Sequence, residues 1–300
     1  MIENIEKFKG VFVAFYACYD DKGNICKEKI QNLAKWYVEK GVNGLYLTGS
    51  SGEAMMHSAE ERIQTVKAVM DAVGDKTTVI VQVGAPNTAE SCRLATAAAD
   101  LGADAISSVP NIYYPLPDAC IEEYWDSMIE AAKIPFFIYN VPATTGYNIS
   151  MSLFEKMIKK TYVAGIKTTS PNSSLISRMK RIGGENTLIF NGDDAQLLAG
   201  LTMGATGGIG GTYGAMPELY VKLYRAFREG NMEEALLWQN RADIALMHGR
   251  VGWSTGVACM KAILEARGMD CGGVRAPFKY VPKDTPVVRE AAEMIESWLK

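Results

Sequence analysis

Lys167 stands near the C-terminal end of Val163-Ala-Gly-Ile-Lys-Thr-Thr169, a stretch with the length and apolar content of a buried strand. An amine held among apolar neighbours is pushed toward its neutral form. A neutral lysine is a nucleophile, and with a carbonyl substrate it forms a Schiff base. The other reading is an edge or snorkelling lysine with its head in water, the commoner fate of this residue type. Four further segments carry groups that could do chemistry. Gly49-Ser50-Ser51-Gly52-Glu53 offers backbone N–H groups and two hydroxyls to a carboxylate or phosphate, or forms a plain glycine-serine turn. Tyr139 in Tyr139-Asn-Val-Pro142 and Tyr113 in Tyr113-Tyr-Pro115 could relay protons or serve in packing. Asn191-Gly192-Asp-Asp194 brings an acidic pair, and Gly207-Gly-Ile209-Gly-Gly211 is glycine-dense enough for a ligand to approach the backbone closely. The chain has no G-x-x-x-x-G-K-[ST] phosphate loop and no G-x-S-x-G nucleophile elbow, and the glycine-rich stretch lacks the register of a dinucleotide fingerprint.

These segments fall at the ends of regularly spaced apolar runs. Strands are expected at Val11–Tyr16, Gly44–Thr48, Thr78–Val83, Ala105–Val109, Phe136–Asn140, Val163–Thr168, Leu188–Asn191 and Thr206–Gly210. Each is followed by helical signals, such as the capping-box pattern Ser58-Ala-Glu-Glu61 with Ile63, Val66, Val69, Met70 and Val73 behind it. Gly41, Gly102 and Gly204 recur where a helix end turns into a strand. Eight βα units predict an α/β fold with a parallel sheet closed into a (β/α)8 TIM barrel over residues 1–230. If Ile166 faces the helices, strand alternation sends Lys167, Gly165 and Val163 into the barrel. Residues 231–300 show helical patterns only, at Met232–His248, Ser254–Gly268 and Val287–Leu299, and are expected as a helical appendage packed on the barrel. Active sites of such barrels lie at the C-terminal strand ends, where all the segments above are placed.

Composition narrows the partners. The net charge of −3 gives no general attraction to nucleic acid or to an anionic membrane. No apolar run reaches membrane-spanning length, and the N-terminus lacks the pattern of a secretory signal. A cytoplasmic protein acting on a small molecule is expected. The six cysteines include no C-x-x-C pair and read as reduced thiols. His57 and Glu61, at i,i+4 spacing, could touch one ion, but a solvated helix end is the better reading, so no metal is expected.

Taken in this order, Gly49-Ser-Ser-Gly-Glu53, Tyr139-Asn-Val-Pro142, Gly165-Ile-Lys167, Asn191-Gly-Asp-Asp194 and the glycines at 207–211 resemble the pyruvate-dependent class I aldolases, the family of N-acetylneuraminate lyase and dihydrodipicolinate synthase. The resemblance spans nearly the whole chain. It implies that Lys167 forms the imine with a 2-keto acid, that Tyr139 shuttles protons at the C4 hydroxyl, and that Ser50 and Ser51 hold the carboxylate, with Ser50 also in the proton relay. It implies that Tyr113 crosses a dimer interface in a homotetramer built as a dimer of dimers, and that no cofactor is needed. Gly49, Thr169, Gly192, Asp194, Ile209 and Gly211 complete the expected substrate-binding set. Thr144 stands where the synthase carries an arginine, which counts against the synthase because a hydroxyl does not replace a bidentate clamp. Ala195 and Gly211 stand where the lyase carries an acid and a serine that read the polyol tail. The expected activity is therefore aldol cleavage of a 2-keto-3-deoxy sugar acid to pyruvate and an aldehyde, with N-acetylneuraminate lyase leading. A 2-keto-3-deoxygluconate-type aldolase and dihydrodipicolinate synthase are the alternatives. From other classes come a non-catalytic keto-acid-binding barrel and a hydrolase built on Ser50, for which no base is evident.

Overall fold

Eight short parallel strands close on themselves in sequence order, β1 pairing with both β2 and β8, in a computed structural model that describes residues 4–300. The strands are β1 (Gly10–Ala14), β2 (Gly44–Leu47), β3 (Thr78–Gln82), β4 (Ala105–Ser108), β5 (Phe136–Asn140), β6 (Val163–Thr168), β7 (Leu188–Asn191) and β8 (Gly207–Gly210). The first five helices are α1 (Lys27–Glu39), α2 (Ala59–Val73), α3 (Thr88–Asp100), α4 (Asp118–Ala132) and the single turn α5 (Pro142–Thr145). Around the second half lie α6 (Met151–Met157), α7 (Ser174–Gly183), α8 (Leu197–Thr202) and α9 (Pro217–Arg228). The chain then continues through α10 (Met232–His248), α11 (Gly256–Ala266) and α12 (Pro286–Leu299). This is the (β/α)8 TIM barrel with C-terminal helices that the alternation of patterns predicts.

Local sequence sets the ends of these elements. Ser58 caps α2 through the Glu61 N–H while the Glu61 carboxylate returns to the Ser58 N–H, satisfying two otherwise orphaned donors. Asn87 caps α3 in the same sense by accepting from the Glu90 N–H. Gly41, Gly102 and Gly204 all take positive φ, the left-handed step a helix needs to turn back into a strand without a Cβ clash.

Two layers of burial follow. Outward strand residues such as Val11, Leu45, Val81, Ile138, Ile166 and Ile189 pack beneath the helices in a large core that takes in Trp238 of α10, Ile263 of α11 and Ile295 of α12. Inward residues form a second cluster that fills the lower barrel, with Phe8, Phe12, Phe137 and Phe190 meeting edge-on or tilted at centroid distances of 5.0–5.4 Å. Side chains thus plug the barrel from below.

One strand departs from simple alternation. Phe136 pairs with Val163 but Phe137 pairs with Gly165, so β6 carries an extra residue, a bulge, at Ala164. Val163 consequently packs outward beneath the helices and Ala164 inward, whereas alternation predicts Val163 inside. Downstream of the bulge the expected parity returns, with Ile166 outward and Lys167 inward.

Candidate active site

Lys167 lies at the C-terminal end of β6, buried to 4% exposure, between Tyr139 of β5 and Phe190 of β7 in the strand register. Its Nζ sits 4.1 Å from the centroid of the Tyr139 ring and 4.5 Å from that of Tyr46 on β2. Two electron-rich faces therefore cradle the amine. The rings meet each other edge-on at 5.8 Å, and the Tyr46 hydroxyl is anchored by donating to Ser107 Oγ at 3.0 Å. Burial pushes the Tyr46 phenol well above its ordinary pKa, so it stays a neutral platform.

Above the amine opens a cavity of about 400 Å³. Ser50, Ser51, Tyr139, Lys167, Thr169, Gly192, Asp194, Ile209 and Gly211 all line it. Gly49 lines an adjoining cavity of about 210 Å³ that shares Ser50 and Thr144 with the first. Tyr113 is the one expected site residue outside this group. It is 90% exposed on the loop after β4, at φ +81°, with its ring edge-on to Tyr114. It does not reach the cavity of its own chain.

The loop after β2 is shaped as an anion cradle. Gly52 and Glu53 donate their N–H groups back to the Gly49 and Ser50 carbonyls, which folds the segment into a tight turn. Among the described residues, the N–H groups of Ser50 and Ser51 donate to no carbonyl and their hydroxyls make no hydrogen bond. Four donors are thus left for a ligand, the arrangement that suits a carboxylate.

Glycines make the room. A Cβ at Gly192 would lie 3.3 Å from Lys167 Cε and closer still to Thr169 Oγ1. A Cβ at Gly211 would meet Ser51 Oγ at 2.6 Å, so a serine there could not be accommodated without moving Ser51. On the far wall, Asp194 Oδ2 accepts from both the N–H and the hydroxyl of Thr212 at 2.7 Å. Its Oδ1 is sealed from solvent without a partner, although the residue as a whole is only half-buried, and Thr169 Oγ1 is likewise unpartnered. Desolvation raises the Asp194 pKa to about 6, against the opposing pull of the Thr212 bonds and the Lys167 charge. Asp194 Oδ1 lies toward Gly210 and Thr169 Oγ1 toward Gly192, so these two unpartnered polar atoms sit just behind the cavity wall, within residues that line it.

Three contributions to the site were not among the sequence-derived candidates. Tyr46 is hidden in an apolar strand, and its only signal is a phenol among aliphatic neighbours in Gly44-Leu-Tyr-Leu47. Tyr16 lines the cavity and donates to the Gly211 carbonyl at 2.6 Å. The C-terminal region adds Leu246 of α10, Arg250 of the following connection, and Gly256, Val257 and Met260 of α11, so it forms part of the site's wall. His57 and Glu61 do not converge on an ion. His57 Nε2 is bonded to the Tyr19 hydroxyl at 2.6 Å, and Glu61 pairs with Arg275 at 2.7 Å. No group of three or more His, Cys, Asp or Glu side chains among the described residues could hold a metal. All six cysteines are free, with Cys18, Cys259 and Cys271 buried and Cys120 exposed.

The profile of the dihydrodipicolinate synthetase family matches residues 7–295. The chain belongs to that family. Its relatives include an N-acetylneuraminate lyase of Mediterraneibacter gnavus, 42% identical over 297 residues that cover 98% of this chain and 94% of the relative. A sialic acid aldolase of Ruminococcus gnavus, solved as a catalytic lysine mutant, is 42% identical and covers 99% of this chain and 98% of that one, with a TM-score of 0.95. A Clostridium difficile protein solved in complex with mannosamine is 28% identical, with a TM-score of 0.89 and coverage of 97% and 98%. Among the described residues no helix is long and apolar enough to cross a membrane.

Proposed function

We propose that the protein is a Schiff-base aldolase that cleaves N-acetylneuraminate to pyruvate and the N-acetylated amino sugar, with Lys167 as the nucleophile. The observation that carries this reading is the placement of one buried amine at the cavity floor, flanked by a phenol and faced by a loop with four free donors. The 42% identity to a lyase of that name supports the choice of substrate.

In this mechanism the Ser50–Ser51 loop binds the substrate carboxylate, which sets the C2 ketone beside Lys167. The lysine Nζ attacks C2, and water leaves to give a protonated imine. Removal of the C4 hydroxyl proton through Tyr139, relayed by Ser50, sends the C3–C4 electron pair into the imine. The aldehyde departs and an enamine remains. A proton returned to C3 followed by addition of water releases pyruvate and restores the amine. Asp194 and Thr169 bind hydroxyls of the sugar half, and the backbone of Gly192, Ile209 and Gly211 leaves space for it. No metal or cofactor takes part.

Tyr113, solvent-exposed in one chain, projects in this reading into the site of a second copy within a cytoplasmic homotetramer. Residues 1–230 form the catalytic barrel and 231–300 an appended helical region that closes one side of the site. Thr144, which donates to the Val141 carbonyl, provides no charged clamp for a second carboxylate and disfavours the synthase. Pyruvate release from N-acetylneuraminate and from 2-keto-3-deoxygluconate, set beside condensation of pyruvate with aspartate semialdehyde, tests the choice. N-acetylneuraminate is expected to give the largest kcat/KM, and a larger value for either other substrate would replace this reading.

A further inference from the structure

The serine loop is bracketed by two non-glycine residues in left-handed backbone, Thr48 at φ +51° and Glu53 at φ +52°, and both are buried. Backbone of this kind is disfavoured for a residue with a Cβ and persists only where the surroundings hold it. At the first end the hold comes from the barrel. The Thr48 hydroxyl donates to the Gln82 carbonyl at 2.7 Å, a carbonyl that also accepts from buried Arg62 at 2.6 Å.

At the second end the hold comes from outside the eight βα units. The Glu53 carboxylate is fully buried, with Oε2 accepting the Arg275 N–H at 2.8 Å and Oε1 3.3 Å from Lys261 Nζ. Lys261, on α11, is buried as well, and its ammonium also donates to the Ala17 carbonyl at 2.8 Å and to the Gly273 carbonyl. One charge on an appended helix therefore ties together the segment after β1, the serine loop and the C-terminal chain. Its helix neighbours Val257 and Met260 line the same cavity as Ser50 and Ser51. A buried ion pair is a poor source of stability, since apolar residues of similar volume often serve as well or better. What it does supply here is geometry. Glu53, held by the pair, closes the turn in which its N–H donates to the Ser50 carbonyl at 3.1 Å, and Ser50 and Ser51 of that turn line the cavity.

We infer that Glu53 and Lys261 are positioning residues for the substrate carboxylate, and that the C-terminal helices set keto-acid affinity through this buried pair. The inference rests on the proposed role of the Ser50–Ser51 loop. Its test is the double variant Glu53→Gln/Lys261→Met, which removes both charges together and leaves neither unpaired, compared with Lys261→Arg, which keeps the charge. The readouts are KM for pyruvate and for the amino-sugar aldehyde in the condensation direction, kcat, the melting temperature, and borohydride trapping of pyruvate. The double variant is expected to fold and to raise KM for pyruvate about tenfold or more, with kcat and the aldehyde KM within about threefold, the pattern of a lost uniform binding interaction. Lys261→Arg is expected to stay within about threefold of wild type in pyruvate KM, and a loss as large as that of the double variant would overturn a role for the charge. An unchanged pyruvate KM in a folded double variant that still traps pyruvate would overturn the inference alone. Failure of the wild-type protein to trap pyruvate at all would overturn the functional reading beneath it, and the inference with it.

Discussion

The two halves of the barrel interior are made of different material. Below, Phe8, Phe12, Phe137 and Phe190 fill the space with rings in edge-on or tilted contact. Above, over a few strand residues, the wall carries an amine between two phenols, a loop with unused donors, an aspartate with an unpartnered oxygen, and glycines where side chains would block the space. Among the described residues, the buried side-chain polar atoms without a partner include Thr169 Oγ1 and Asp194 Oδ1 of the upper half and none in the lower aromatic cluster. Stability is built in one region so that unsatisfied chemistry can be held rigid in the other.

Substitutions on either side of that boundary should separate activity from stability. The largest effect is expected from Lys167→Ala, which should reduce pyruvate release to background while the melting temperature holds or rises, because a buried amine is removed from the upper half. Next comes Tyr139→Phe, which should slow turnover by about 10²- to 10⁴-fold, the range of a lost proton-transfer group, while borohydride still traps pyruvate on Lys167. Equal losses in turnover and in trapping would contradict the separate roles of the two residues. Phe137→Ala should do the reverse, costing about 3–5 kcal/mol in denaturant unfolding while the molecules that remain folded keep their kcat.

Asp194→Asn is the subtlest test. With its pKa raised to about 6, the wild-type carboxyl binds a proton in the folded state between roughly pH 4 and 6, where the unfolded chain does not. Folding stability from this group therefore falls as pH rises through that window, and the cost is fully present above about pH 6. The asparagine variant should melt roughly 2–4 °C higher than wild type at pH 7.5, with the gain shrinking toward pH 4, while KM for the sugar acid rises. A variant that is less stable at pH 7.5, or equally stable at all pH values, would show that Oδ1 is not held at a cost.

Much of this contrast can be read from residue order. β5, β6 and β7 begin and end where the sequence pattern places them, β5 between two prolines, Pro135 and Pro142, and β6 and β7 between polar or glycine-containing turns. The site segments were locatable because a parallel barrel puts strand C-termini on one face. The inward turn of Lys167 was legible, but the route to it was not. A bulge at Ala164 depends on pairing with β5, and nothing in Val163-Ala-Gly-Ile-Lys167 alone shows which neighbour slips by one residue. Tyr46 escaped notice for a related reason: in a strand buried on both faces every position is apolar, so parity cannot be read from the pattern. The wall contributed by Leu246, Val257 and Met260 comes from helices whose amphipathic pattern shows that they pack, but not on what.

The account depends most on the amine at the end of β6. Incubating the protein with pyruvate, reducing with borohydride and mapping the modified peptide by mass spectrometry addresses it directly. A single stoichiometric adduct on Lys167, absent from Lys167→Ala, is the predicted result. No adduct, or an adduct spread over surface lysines with Lys167 unmodified, would contradict it.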